Sequence, residues 1–540
     1  MILDFTYSYA TSSESIANVK NETSHRRVPR LAMLVAAMAV VGLSGCAIQP
    51  KPFSDAERAA TARNERSVLF VNQQPVTGPI TLDEAMARAV RYNLDHRLKM
   101  MEEALSQRQL DLSNFNLLPK LTAQAGYSNR NRELASGSEG LYTGQESLIP
   151  SFSTDKDSRT ADLSLSWNLL DFGVSYFEAQ QQADHVLVLE QRRRKVVQML
   201  MQQVRESYWQ TLGAQRLRDR IGPLLDQARA ALADSRREQS QGLRSPITTL
   251  NYQRTLLDLM RQLEAVRDQL EEAKPRLAAL MNMDPGTDFT LASSDAFIVP
   301  VFDMPMEKME DMALQRRPEL VEASYNERIG VNETHKAIAK LLPGIELSLG
   351  THYDSNSFLV YNSWRSAGVR ISWNLLNLLN AGNIRDAAQA QLDVAQTQRM
   401  ALSMAVLSQV HIARNQLAAK TRQYNLFKEA NDVDQQILRH TQNATSASAQ
   451  GKLEEIRVST AAMMSELRQY QSYGELESAY GRMLATLGLD PLGDKLSGND
   501  LAALTASIAQ EQQRWNDLAA QAPTHTAALA AAPGAGDSAK

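Results

Sequence analysis

Side chains able to do chemistry are few in this chain and poorly spaced for it. Eight histidines are scattered over 540 residues, with no His-Glu-x-x-His element and no pair at zinc-ligand spacing. Cys46 is the only cysteine, which excludes an internal disulfide and a cysteine metal cluster. No glycine-rich phosphate cradle and no Gly-x-Ser-x-Gly elbow is present. Ser136-Gly137-Ser138-Glu139-Gly140 is only loosely similar to such an elbow, and it lies in a polar insert. The one dense basic run is Arg192-Arg193-Arg194-Lys195. With a formal charge of -4 the chain is mildly acidic, so nucleic acid is not expected as a partner. Inside a long helical stretch, that run is expected to be a solvated stripe. Neither an enzyme active site nor a cofactor or metal is predicted.

Cys46 takes its meaning from what precedes it. Arg26, Arg27 and Arg30 lead into an apolar run from Leu31 to Val41, followed by Leu43-Ser44-Gly45-Cys46. A basic segment, a short apolar core and small residues make an export signal, too short to span a bilayer. The pattern also resembles the bacterial lipoprotein box. That resemblance implies cleavage before Cys46 and attachment of a diacylglycerol to its thiol. Ala47, standing where an aspartate would hold a lipoprotein back, favours the outer membrane on the same resemblance.

The elements become visible when the chain is compared with itself. Ala89-Val90-Arg91-Tyr92-Asn93-Leu94-Asp95 aligns with Ala313-Leu314-Gln315-Arg316-Arg317-Pro318-Glu319, and Leu117-Leu118-Pro119 with Leu341-Leu342-Pro343 at the same offset. Ser166-Trp167-Asn168-Leu169-Leu170 recurs as Ser372-Trp373-Asn374-Leu375-Leu376, and Met283-Asp284-Pro285 as Leu489-Asp490-Pro491. Each half reads as helix, strand, loop, strand and very long helix. After Pro119 and Pro343 the apolar period changes from helical to alternating. Leu121, Ala123, Ala125 and Tyr127 oppose Thr122, Gln124 and Ser128; Leu163, Leu165 and Trp167 oppose Asp162, Ser164 and Asn168. In the second half Ile345, Leu347 and Leu349 oppose Glu346, Ser348 and His352, and Val369, Ile371 and Trp373 oppose Arg370, Ser372 and Asn374. Each run approaches the roughly 9–11 residues that a tilted strand needs to cross a bilayer.

Alternation by itself also fits a soluble sheet with one wet face. If the strands are transmembrane, however, four cannot close a barrel, and open edges are not tolerated in lipid. Three copies supply twelve strands, so a homotrimer follows. Between the strands, Ser136 to Ser151 is expected to be a mobile surface loop. The remainder is expected to be helix. Ile384 to His440 contains neither proline nor glycine, and a helix of about 60 residues reaches ~90 Å. Its counterpart from about Tyr176 to Gln241 carries an expected kink or break at Gly222-Pro223.

These features together resemble the TolC family of outer-membrane factors, in its lipoprotein branch, over roughly Ile80 to Pro491. The resemblance rests on the doubled architecture, the paired Leu-Leu-Pro turns, the Trp-Asn-Leu-Leu motifs and Asp171-Phe172-Gly173. The second copy departs, carrying extra residues in Asn377-Leu378-Leu379-Asn380-Ala381-Gly382. What the resemblance implies is a mainly α fold with transmembrane β. The duplicated helix-strand-strand-long helix repeat would assemble as a trimer, its twelve-stranded barrel continued by a helical periplasmic tunnel. It further implies a passive conduit of a tripartite efflux or type I secretion system, fed by an inner-membrane pump through a periplasmic adaptor. The other reading is a lipid-anchored coiled-coil scaffold or adaptor without a barrel.

On the same resemblance the adaptor meets the helical hairpin tips, where Gln241-Gly242-Leu243-Arg244-Ser245 matches a Gly-Leu-x-Ser-like motif and Gly451 marks the second tip. Each glycine also has a plainer use, permitting a tight turn. The family's acidic gate positions hold Thr248, Asn251, Arg457 and Thr460 here, leaving Glu454 and Glu455 as nearby candidates. Asp162, Glu346 and Arg370 are the charges expected to face the barrel lumen. The expected organisation is a signal over 1–45, a tether over 46–79, a first repeat over 80–290, a linker over 291–305, a second repeat over 306–495 and a disordered Ala-rich tail over 496–540. The protein is thereby expected in the outer membrane, lipid-anchored and extending into the periplasm.

Overall fold

The computed structural model describes residues 50–146, 149–241, 245–292, 297–444, 449–489 and 500–520. Cys46 and the expected signal lie outside them. The chain divides into two units, Met1–Val68 and Leu69–Lys540. In the first, helix α1 (Asp55–Val68) opens on a capping box. The Glu57 amide donates to the Ser54 hydroxyl at 3.3 Å, while the Glu57 carboxylate accepts from the Ser54 amide at 2.8 Å.

The second unit carries the duplication, and the offset between copies shortens after the first strand because the first copy holds the longer insert. Helices α2 (Leu82–Tyr92) and α3 (Leu94–Phe115) precede strand β1 (Lys120–Asn129). After a short hairpin, β2 (Ala135–Ser136) and β3 (Ser151–Phe152), come strand β4 (Asp157–Asn168), the long helix α4 (Leu169–Ser240) and its return α5 (Pro246–Leu280). The second set is α6 (Met306–Arg316), α7 (Pro318–Ala339), β5 (Gly344–Asp354), β6 (Ser363–Ser372), the short α8 (Leu375–Leu379), α9 (Ala381–Ala444) and α10 (Ala449–Thr486). A final helix, α11, spans Leu501–Ala520.

Local chemistry explains the boundaries. Asn93 caps α3, its side chain accepting from the Asp95 and His96 amides, and Pro318 opens α7 at the first helical position. Both long returns end in the same left-handed cap. The Met283 amide donates to the Ala278 carbonyl at 2.8 Å and Leu489 to Leu484 at 3.1 Å. The residue between, Asn282 or Gly488, takes φ of 55° or 73°. This is the physical content of the repeated Met-Asp-Pro and Leu-Asp-Pro endings.

The four long strands form one antiparallel sheet in the order β1-β4-β5-β6. Among the described residues, both outer strands leave an edge unpaired. The main core lies at the ends of the repeats, where Ile80 bridges Leu291 and is packed among Met86, Val90, Leu212, Met309 and Leu476. The Tyr208 hydroxyl lies 3.2 Å from both the Ile80 and Ala292 carbonyls, tying the start of the expected linker into this core.

Three expectations are corrected. Helix α4 begins at Leu169 and runs through Gly222-Pro223 unbroken. An interior proline costs about 3 kcal/mol, but Ile221, Leu224, Leu225 and Ala228 continue the stripe buried against α5 across it. Residues 501–520 are helical, not a disordered tail, because Leu501, Leu504, Ile508 and Trp515 supply an apolar stripe that is buried; residues 521–540 lie outside the described residues. The basic run is only in part the solvated stripe expected: Arg192 and Lys195 are 51% and 56% exposed, but they are also paired. Arg192 reaches Glu322 at 2.8 Å and Lys195 reaches Glu319 at 3.4 Å on α7, while Arg193 reaches Glu103 on α3 at 2.7 Å. It clamps α4 between two helices.

Among the described residues, no helix is long and apolar enough to cross a membrane.

Candidate functional site

Residues opposite each other in an antiparallel pair share a face of the sheet, so the register assigns every strand residue to one of two surfaces. Leu163 pairs with Thr351, Leu165 with Leu349, Leu347 with Val369 and Ile345 with Ile371. On β1, Leu121 joins Leu165 and Ala123 joins Leu163. One face is therefore apolar through its middle, and Leu121, Leu163, Leu349, Val369 and Ile371 are each 45% to 70% exposed. The other face carries Thr122 and Gln124 on β1, Asp162, Ser164 and Ser166 on β4, Glu346, Ser348 and His352 on β5, and Ser366 and Arg370 on β6. An apolar surface of this kind belongs against other apolar material, not water.

The three charges predicted to share a surface do so. Arg370 stands opposite Glu346, with Nη1 to Oε2 at 3.8 Å. Asp162 is not with them; it faces His352, further along the strands. There the polar face holds a relay that the sequence reading missed. His352 Nδ1 lies 2.7 Å from Asp162 Oδ1, and Nε2 lies 2.8 Å from the Ser366 hydroxyl. Trp364 stacks on the imidazole at 5.3 Å between centroids. The sequence did place His352 and Asp162 on polar faces. Only the register joins groups 190 residues apart.

At one end of the sheet β4 passes directly into helix, and β6 does so across Trp373 and Asn374. Asn168 accepts from the amides of Leu170 and Asp171 at 3.0 and 3.4 Å, and Asn374 from Leu376 and Asn377 at 3.2 and 3.4 Å. The asparagine of each Trp-Asn-Leu-Leu motif is thus an N-cap. Trp373 Nε1 donates to the Leu341 carbonyl at 2.9 Å, fixing the strand end to the Leu-Leu-Pro turn. The extra residues of the second copy appear as a break: α8 stops at Leu379, and α9 starts after Asn380.

At the opposite end of the sheet, the inter-strand loops are joined. Asn356 Nδ2 donates to the Ser153 carbonyl at 3.0 Å, the Ser357 amide donates to Asp155 at 2.6 Å, and Phe152 meets Phe358 edge-on at 5.3 Å. The insert expected to be mobile thus contains the β2–β3 hairpin and is anchored at its base.

Of the hairpin-tip residues, Gly242 and Leu243 lie outside the described residues. Ser245 precedes Pro246 at the first position of α5, and its carbonyl accepts from the Thr249 hydroxyl at 3.1 Å. Gly451 lies within the first turn of α10. Glu454 is tied to Arg457 on its own helix, Nε to Oε2 at 2.9 Å, and that hydrogen bond holds its carboxyl below the ordinary range. Glu455 is half-buried. Thr460 is buried, with its hydroxyl donating to Ile456 at 2.7 Å.

Residues 96–283 match the model of the outer membrane efflux protein family. No curated protein sequence matches the chain. Among solved structures, the Campylobacter jejuni CmeC outer membrane channel is similar over 86% of this chain and 97% of its own, at 12% identity and a TM-score of 0.60. The outer-membrane channel OprN is similar over 75% and 89%, at 17% identity and 0.57. The Neisseria gonorrhoeae MtrE outer membrane channel is similar over 78% and 95%, at 15% and 0.53. The fold is that of TolC-type outer-membrane channels, as the resemblance implied.

Proposed function

We propose that this chain, an outer membrane efflux protein by its match and its fold, works as a homotrimer. Three copies of the β1-β4-β5-β6 sheet join edge to edge in a twelve-stranded barrel, and the long helices continue its bore into the periplasm. The observation that carries this reading is the sheet itself: one apolar face, one polar face and two unpaired edges. Lipid lacks hydrogen-bonding partners, so edges within it must be closed by neighbours. Closure puts Leu163, Leu349, Val369 and Ile371 against acyl chains and Glu346, Arg370 and Asp162 in a water-filled lumen.

In this reading the protein is a passive conduit of a tripartite efflux or type I secretion system and not an enzyme. A periplasmic adaptor meets the tips around Gly242, Leu243, Ser245 and Gly451, and an inner-membrane pump drives the cargo. Glu454 and Glu455 stand near the periplasmic entrance. Glu455 is the better gating candidate, because Arg457 already balances the charge of Glu454. Cys46, lipidated after cleavage behind Gly45, adds an anchor to outer-membrane lipid.

Purified full-length protein should migrate as a trimer until heated and conduct ions in planar bilayers as single channels. A monomer that gives no conductance overturns the proposal.

A further inference from the structure

We propose that Ser366 is a base-activated nucleophile, and so a covalent modification site for activated acyl and phosphonyl compounds. The site's side chains come from one chain alone, so their labelling does not depend on the pore reading; only the absence of turnover rests on it. Three strands supply it: Asp162 from β4, His352 from β5 and Ser366 from β6.

The two hydrogen bonds, 2.7 Å from Nδ1 to Asp162 and 2.8 Å from Nε2 to Ser366, set the tautomer. A carboxylate only accepts, so Nδ1 carries the proton and Nε2 offers its lone pair to the serine hydroxyl. That is the arrangement of nucleophile, base and orienting group from which activated serines are recognised. Stacking on Trp364 restrains the ring in this pose.

Gly350 is the independent observation. A Cβ there would lie 2.7 Å from His352 Nε2 and 3.1 Å from Ser366 Oγ. The imidazole lies over a residue that has no side chain, and this lets it reach the hydroxyl two positions along β6. The first repeat has the same clearance, with Gly126 facing Thr160, but Ser128 stands where the second repeat has His352. The fold therefore does not require the imidazole.

In the reaction, Ser366 Oγ forms a bond to the phosphorus of a fluorophosphonate and fluoride leaves. The hydroxyl proton passes to His352 Nε2, and Asp162 remains ionised, stabilising the imidazolium through Nδ1–H. With an activated ester, the same attack expels the alcohol and leaves an acyl-serine. In a closed barrel the backbone amides of β6 are held in ladders, so no oxyanion hole forms. The consequence is stoichiometric modification and not turnover.

The test treats purified full-length protein with a fluorophosphonate probe and locates the adduct by peptide mass spectrometry. Labelling at Ser366 should fall by about 10² in His352→Gln, the usual contribution of a positioned base. It should also fall steeply in Gly350→Ala and disappear in Ser366→Ala. Circular dichroism and oligomer migration should match wild type for His352→Gln, which faces water. If Ser366 stays unmodified in wild type, or labels equally fast in His352→Gln, the relay is a cross-strand hydrogen-bond ladder and the proposal fails.

Discussion

Arg205 Nη1 lies 2.7 Å from Glu477 Oε2, joining α4 to α10 with both side chains less than a tenth exposed. Arg205 also donates to Gln512 of α11 at 3.1 Å, and Gln512 donates onward to Asp83 of α2 at 2.8 Å. Removing one partner leaves a buried charge uncompensated, at a cost of about 3–5 kcal/mol. Glu477→Leu alone should lower unfolding stability by that order, whereas combining it with Arg205→Met should recover most of it. Denaturant titration of the four-member cycle measures both. Additive losses in the double variant would show that the pair is not coupled.

The carboxylate at Glu319 gives a pH dependence with a definite sign. Burial alone would raise its pKa, but the Arg317 guanidinium, the backbone hydrogen bond and Lys195 together hold it below its ordinary value of 4.5. A depressed carboxylate stabilises the folded state above the unfolded pKa, and the contribution is lost as pH falls through the folded value. The stability gap between wild type and Glu319→Gln should therefore be full at neutral pH and shrink below about pH 4.5. Thermal unfolding of both proteins across that range is the check.

Two neighbouring residues on β6 test the assignment of faces. Ile371→Arg places a charge on the apolar face, where an arginine at mid-bilayer costs about 2–4 kcal/mol. Trimer yield should drop. Arg370→Glu acts on the polar face, so assembly should persist while the channel shifts toward cations. Normal assembly of the first variant with failure of the second would reverse the faces.

Gly488 and Gly330 should respond in opposite directions to alanine. Gly488 has φ of 73°, and a Cβ there would lie 2.5 Å from the Arg316 carbonyl carbon. Gly488→Ala should destabilise by at least about 1–2 kcal/mol, the left-handed penalty alone. Gly330 lies inside α7, and the nearest atom to its missing Cβ is Leu392 Cδ1 at 3.9 Å, an ordinary contact. Gly330→Ala should gain about 0.5–1 kcal/mol. Both are read from denaturant midpoints.

What the sequence made legible was what depends on short-range pattern. Alternation around Leu163 and Ile371 gave strands and their faces, and the repeated Trp-Asn motif marked the strand-to-helix junctions. Contacts that depend on long-range register stayed hidden, such as Asp162 meeting His352 and not Arg370. Proline chemistry misled at Pro223, because packing against α5 outweighs one lost helical hydrogen bond. The basic run misled in part, because its partners, Glu103, Glu319 and Glu322, lie on other helices. The alanine-rich composition of the tail concealed the spacing of Leu501, Leu504, Ile508 and Trp515.

The two strand-to-helix junctions differ mechanically. In the first repeat, Asn168 joins β4 to 72 residues of uninterrupted helix. In the second, Asn380 breaks the helix a turn after it begins, and α9 starts afresh. A torque applied near Ser240 therefore meets no break in the helix before β4, whereas one applied near Ala444 can be absorbed as a swivel at Asn380. Within each copy, one arm behaves as a driveshaft and the other as a coupling with play.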